Sequence, residues 1–386
     1  MIKFIPYENL LYLYISIFMI LPCIVLCFLK KRIRILNILI SLIMTILVFG
    51  IHSLQIIQFL LFILYETILV FFFLYFRKRC KSEFIYYLIF MLSIVPIFLV
   101  RIGSFNVTIS NYIGFVGISY MCFKIWQLLF DIHDEKIQKI NLLYFLELLL
   151  FFPSFSSGPI ISYSDLDDRY EDDLSNYFES YFQFGLKKIL LGIFYKFALA
   201  YFVSKFLIAG ISDQKTVLNI VAYMYSYTLY LFFDFAGYSN MAIGMGYLMG
   251  IKLPENFNKP FLSCHMKEFW KRWHMSLSNW FNENVFNRFV LNNVRNGLFK
   301  DTKTAARFGY VFTMLLMGLW HGFSIHYIIY GLYEGLLLLI TDYVLKTKIY
   351  RRFKIKKYYK IVSIIICFQF IAFGMLLFSG KYFFVN

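Results

Sequence analysis

Apolar runs of membrane-span length, separated by short basic or glycine-containing breaks, organise almost the whole chain. The first, roughly Asn9–Leu29, is followed rather than preceded by its main basic cluster and lacks a small-residue cleavage site. It reads as an anchor with the N-terminus on the extracellular side, not as a removable signal peptide. Further spans are predicted near Ile35–Gly50, Leu54–Phe76, Phe84–Val100, Tyr112–Phe130, Phe184–Ile208, Leu218–Phe235 and Met241–Ile251. Three more follow near Gly309–Phe323, Tyr327–Val344 and Ile361–Phe378. The run Leu142–Phe152 is too short to cross, since a crossing helix needs about 20 residues. It ends in Pro153-Ser154-Phe155-Ser156-Ser157-Gly158-Pro159. Irregular backbone at membrane depth must be buried in protein or line a cavity, which makes Ser157, Gly158 and Pro159 candidate lining or positioning residues. The acidic stretch Asp165–Asp173 reads as a solvated loop. The pattern predicts an all-α polytopic membrane protein, a single membrane domain over residues 1–386, with about nine to eleven crossings plus re-entrant and in-plane helices.

Composition agrees with that pattern. Hydrophobic residues make up 60% and charged residues 16% of the 386, and the mean hydropathy is +0.67. A soluble chain has roughly 25% charged residues, so this one carries more apolar surface than a water-facing fold can hide. The net charge of +16 raises nucleic acid as a partner. The basic residues, however, cluster where spans end: Lys30 to Arg34, Arg77 to Lys81, and Lys346 to Lys360. That is the positive-inside signature of cytoplasmic loops, and no phosphate-cradling glycine loop or RNA-binding aromatic motif accompanies it. The expected partners are membrane lipids, not nucleic acid, and the same surface would attract an acidic protein docking from the cytoplasm. Cys23, Cys27, Cys80, Cys122, Cys264 and Cys367 are scattered without zinc-site spacing, so neither disulfide nor metal is expected.

Two histidines stand apart. Residues Phe269–Phe281, FWKRWHMSLSNWF, separate into two faces at about 100° per residue. Trp270, Trp273, Leu277, Trp280 and Phe281 share one side; Lys271, Arg272, Ser276, Ser278 and Asn279 share the other. An amphipathic helix at the membrane boundary is predicted, with three tryptophans inward. His274 falls at the rim of the tryptophan face, as an active group or as an interfacial histidine bonded to a backbone carbonyl. His321 lies in MLLMGLWHGFSIHYIIYGL, where ionisable groups are costly and usually face a cavity or a partner. Gly318 and Gly322 flank it at small-xxx-small spacing, allowing close helix approach or room for a substrate. A neutral imidazole there suits deprotonation of a hydroxyl attacking an activated acyl carbonyl; the alternative is a histidine bridging two helices. His52, His133, His265 and His326 read as structural or interfacial, and Asp234 and Glu334 as acids that hydrogen-bond helices together.

The stretches FFPSFSSGPI (151–160), YLFFDFAGYSNMAIGMGYLMGIKLPENFNKPFLS (230–263), EFWKRWHMSLSNWF (268–281) and LLMGLWHG (315–322) together resemble the membrane-bound O-acyltransferase family. The likeness is narrowest to its branch that D-alanylates teichoic acids. The resemblance implies a ring of helices around a central tunnel, with His321 as the catalytic histidine and His274 as the second active-site residue. Ser157, Gly158, Pro159, Trp273, Gly318, Trp320 and Gly322 then line the tunnel or position the site. It implies no cofactor bound by this chain; the donor is a phosphopantetheine thioester on a small cytoplasmic D-alanyl carrier protein. The acceptor is a hydroxyl of (lipo)teichoic acid outside the membrane, and a small accessory membrane peptide is a further expected partner. Val285, Phe286, Phe289, Val290 and Leu291, beside Arg288 and Arg295, form an apolar patch expected to dock the carrier, or else to dip into lipid. The chain departs from the family's usual pattern at Ile161-Ser162 and Asn282-Glu283.

Two other readings compete. An O-acetyltransferase of the alginate or peptidoglycan type shares the 230–263, RWH and WHG segments, but usually follows the amphipathic helix with a Pro-Leu-Gly-Gly-Asn-like stretch absent here. A transporter or scaffold would be favoured by inverted repeats or a charged pathway, and neither is visible.

Overall fold

A computed structural model describes residues 4–50, 53–103 and 114–382. Tyr112, at the start of one predicted span, and His52 lie outside the described residues. The protein is a polytopic, all-helical membrane protein. Among the described residues no strand forms, and one isolated antiparallel bridge joins Phe257 to Trp273. Among the described residues, six helices are long and apolar enough to cross a membrane: Leu10–Phe28, Leu54–Arg77, Glu83–Ile102, Phe178–Ile208, Ile325–Val344 and Tyr359–Ser379. Other apolar helices accompany them, Arg34–Phe49 among the shorter ones.

The chain divides into two compact units, Met1–Ile193 with Tyr238–Pro254, and Phe194–Gly237 with Glu255–Asn386. In the first unit, α1 (Leu10–Phe28), α2 (Arg34–Phe49), α3 (Ser53–Arg77), α4 (Glu83–Gly103), α5 (Ile118–His133) and α6 (Leu142–Leu150) pack as neighbours. Charges at their ends are used internally. Arg34 pairs with Glu147 at 3.3 Å and Asp167 at 2.8 Å, and its guanidinium lies over the rings of Tyr144 and Tyr170. The fully buried Lys124 of α5 donates to the Leu148 carbonyl at 2.8 Å and to Ser154 Oγ at 3.0 Å. That bond ties α5 to the loop carrying Ser157, Gly158 and Pro159. The loop is tight: a Cβ on Gly158 would lie 2.6 Å from the Pro153 carbonyl oxygen.

Two expectations for this part of the chain change. The acidic stretch after Ser162 is not a loop but a helix, α7 (Tyr163–Glu171). Ser162 caps it, accepting from the Asp165 N–H, while the Asp165 carboxylate accepts from the Ser162 N–H. Such a reciprocal cap satisfies two orphan donors at once and starts a helix that composition alone disfavours. After α8 (Gln183–Ile193), the two spans expected from Leu218 to Ile251 are one 32-residue helix, α9 (Val217–Leu248). Its first part belongs to the second unit and its last part to the first.

The second unit also contains α10 (Met266–Trp270), α11 (Met275–Phe281), α12 (Arg288–Arg295), α13 (Thr302–His321), α14 (Ile325–Val344), α15 (Lys348–Lys354) and α16 (Tyr359–Ser379). The most extensive pairing is α13 with α14, which run antiparallel from a short turn at Gly322. Glycines set their separation. A Cβ on Gly318 would fall 2.4 Å from the Tyr327 carbonyl oxygen, and one on Gly331 would fall 2.5 Å from that of Met314. Backbone meets backbone here, the contact small residues permit between membrane helices.

Candidate functional site

The predicted amphipathic helix over Phe269–Phe281 is broken in the middle. Helix α10 stops at Trp270, α11 starts at Met275, and His274 between them is left-handed, with φ 43° and ψ 56°. The break has an identifiable cause in the segment Asn256–Asn258. The Asn256 carbonyl accepts from the Met275 N–H at 2.9 Å, and the Arg272 carbonyl accepts from the Asn258 N–H at 2.9 Å. The Asn256 side chain accepts from the Ser276 N–H at 3.2 Å and hydroxyl at 2.7 Å. These bonds replace helical ones and hold residues 272–276 as a turn. The inward face survives the break, because Trp270, Trp273 and Trp280 are all buried.

The turn drives His274 inward. It is buried, with its ring edge-on to Phe235 at 4.6 Å between centroids. His321 ends α13 and sits among Trp320 at 4.5 Å, Phe378 at 4.8 Å and Tyr327 at 5.8 Å. Both histidines line one cavity of about 60 Å³, walled otherwise by apolar and aromatic side chains and Tyr330. The two histidines chosen from sequence, 47 positions apart in the chain, thus face the same small space. Trp273 lines it too, while Trp320 lies against His321. Gly318 and Gly322 are packing positions, each crowded by Tyr327. Ser157, Gly158 and Pro159 belong to the first unit, where Ser157 is half-buried and the other two are buried.

A second, larger cavity of about 370 Å³ shares Trp270 and Met317 with the first. Lys267, Lys271, Phe286, Tyr310 and Thr313 are among its lining residues. Residues that build this region without any distinctive local pattern include Asn256, Met317 and Thr313. Asn256 shapes the turn; Met317 and Thr313 lie one and two helical turns before His321 on α13. Glu334 was read as a helix-bonding acid, and it accepts from the Trp270 indole N–H at 3.1 Å. Asp234 likewise pairs with Lys196.

The apolar patch expected to dock a carrier is largely turned inward. Phe286 stacks on Tyr310 at 4.9 Å, Phe289 stacks on Phe312 at 4.8 Å, and Val290 is 5% exposed beneath Gly309. Val285 is half-buried, and Leu291 alone of the five is exposed, at 65%. Phe286, Phe289 and Val290 thus pack against α13, which hydropathy cannot distinguish from a docking face.

Chemically, the histidine cavity is walled mostly by apolar side chains and offers two imidazoles beside the Tyr330 hydroxyl, a setting suited to proton transfer during attack on a carbonyl. Among the described residues no cluster of three or more His, Cys, Asp or Glu side chains could hold a metal ion. The profile of the MBOAT, membrane-bound O-acyltransferase family matches residues 127–385. The chain is 37% identical to a teichoic acid D-alanyltransferase of Bacillus subtilis (strain 168), over 97% of its own length and 98% of that protein's. It is 35% identical to a teichoic acid D-alanyltransferase of Streptococcus thermophilus, over 97% and 95% of the two chains. A Pseudomonas syringae protein named "Probable alginate O-acetylase AlgI" is 33% identical, over 61% of this chain and 44% of that one. The chain belongs to the membrane-bound O-acyltransferase family, and it is an acyltransferase.

Proposed function

We propose that this acyltransferase moves a D-alanyl group from the phosphopantetheine thioester of a cytoplasmic carrier protein to hydroxyls of (lipo)teichoic acid outside the cell membrane. The observation that carries this reading is the similarity, over nearly the full length, to two teichoic acid D-alanyltransferases. Residues 1–386 act as one membrane domain with the N-terminus outside, and a small accessory membrane peptide is a further partner.

In this reading His321 is the general base. Its imidazole takes the proton of the attacking hydroxyl as the oxygen bonds to the acyl carbonyl carbon. The carbon–sulfur bond then breaks, and the departing thiolate recovers the proton from the imidazolium. Atoms and charge balance with no cofactor bound by this chain. His274 holds or polarises the thioester carbonyl from the facing wall. Leu291, with Arg288 and Arg295 nearby in sequence, supplies the carrier contact, charge steering the encounter and the apolar side chain holding it.

Acetyl transfer to a polysaccharide is the second reading, favoured by the alginate O-acetylase similarity. The two are separated by supplying membrane vesicles with D-alanyl carrier or with an acetyl donor and measuring ester formed on added teichoic acid. D-alanyl ester is expected from wild type. His321→Ala is expected to lose about 10²- to 10⁴-fold while remaining in the membrane at normal abundance. Acetyl transfer alone would favour the second reading, and near wild-type activity in His321→Ala would remove the histidine from the chemistry.

A further inference from the structure

Thr313 lies in α13, eight residues before His321, and lines the larger cavity. It is 6% exposed, and its hydroxyl oxygen has no hydrogen-bond partner among the described residues. That is unusual for a helical threonine, whose hydroxyl ordinarily bonds the carbonyl one turn back. A buried hydroxyl left unsatisfied is costly, and a polar group entering the cavity would complete it.

The position of the hydroxyl narrows what that something is. Thr313, Met317 and His321 follow one another at four-residue steps, so they share a face of α13. Met317 lines both cavities and connects the two ends of this stripe. Eight residues of α-helix place Thr313 about 12 Å from His321 along the axis. A pantetheine thioester carries two amides, and its second amide is eight to nine bonds from the acyl carbon. At extended-chain spacing that is roughly 10 Å. Its acyl carbon at His321 would therefore bring the second amide to Thr313. Lys271 lines the same cavity, offering a cation for the phosphodiester at the arm's far end, whereas Lys267 beside it is paired with Asp342 at 2.6 Å.

We propose that Thr313 positions the donor by hydrogen-bonding the second amide of a pantetheine arm, setting how far the thioester reaches toward His321. This rests on the donor chemistry of the preceding reading and adds a residue to it. Thr313 touches the arm, not the reacting atoms, and is a positioning residue.

The test uses purified full-length protein in lipid vesicles with two small donors, D-alanyl-S-pantetheine and D-alanyl-S-N-acetylcysteamine. The second ends before the distal amide. Thr313→Val keeps the shape and removes the hydroxyl; it is expected to raise KM for the pantetheine donor about tenfold with little change in kcat. Thr313→Ser should restore KM. With the shorter donor, wild type and Thr313→Val should have the same KM. An unchanged KM for the pantetheine donor overturns the inference, as does an equal loss with both donors, which marks a packing role. Wild-type protein that transfers from neither of these donors nor from the D-alanyl carrier protein itself would instead overturn the donor reading, and this inference with it.

Discussion

Trp270 donates its indole N–H to the fully buried carboxyl of Glu334 at 3.1 Å, joining the short helix before the His274 turn to the middle of α14. The other Glu334 oxygen has no hydrogen-bond partner among the described residues. Trp270 is also a wall of both cavities. One hydrogen bond therefore holds a ring that lines both cavities.

Replacing Glu334 should accordingly act through Trp270. Glu334→Leu leaves the indole N–H buried without an acceptor, a loss of about 1–3 kcal/mol, whereas Glu334→Gln keeps an acceptor and should lose less. Thermal unfolding in detergent, followed by tryptophan fluorescence, measures both. Equal melting of the two variants would mean that the hydrogen bond contributes nothing to stability.

His274 combines a left-handed backbone with a buried ring, so its variants should separate the two roles. Left-handed backbone costs an ordinary L-residue roughly 1–2 kcal/mol, and glycine and asparagine tolerate it best. His274→Gly relieves the backbone cost that histidine itself bears and should keep the turn while losing transfer; His274→Ala bears the same backbone cost without the ring and should also lose transfer. His274→Asn retains a hydrogen-bonding side chain and should keep more activity than either. Complete loss in His274→Asn, at wild-type stability, would show that the imidazole itself exchanges a proton.

Gly331 is where α13 and α14 touch backbone to backbone. A methyl group there would lie 2.5 Å from the Met314 carbonyl oxygen and 3.1 Å from Leu315 Cα. Neither neighbour is a flexible chain end, so Gly331→Ala should destabilise by about 1–3 kcal/mol through overpacking. It should also shift Met317 and His321 and reduce transfer. A variant that melts and transfers like wild type would show that the two helices separate freely.

For carrier docking, the informative residue is Leu291. Val290→Asp would put a charge beneath α13 and should lower stability and binding together. Leu291→Asp changes an exposed side chain and should weaken carrier capture in a pull-down without altering the melting temperature. If Leu291→Asp captures carrier as well as wild type does, this patch faces lipid instead.

Much of this architecture could be read from one dimension, because its cause is one-dimensional. A membrane rewards apolar length, so Leu10–Phe28, Ile325–Val344 and Tyr359–Ser379 declare themselves by hydropathy. His321 declared itself by being ionisable in an apolar segment, and Gly318 by its spacing from Gly322. Periodicity correctly put Trp270, Trp273 and Trp280 on the inward side, yet it took residues 269–281 for a continuous helix. The interruption at His274 is imposed by Asn256 and Asn258, whose hydrogen bonds outcompete the local helical ones, and no local pattern records a partner that far away. The same holds for Val290, whose apolar character is explained by Gly309 on the next helix rather than by a docking partner. Thr313 shows the limit most plainly. A threonine in a membrane helix is ordinary in sequence, and only the assembled structure places this one on a cavity wall with its hydroxyl unbonded among the described residues. Local composition determined which segments enter the membrane; hydrogen bonds and backbone contacts between distant segments decided which side chains face the histidines.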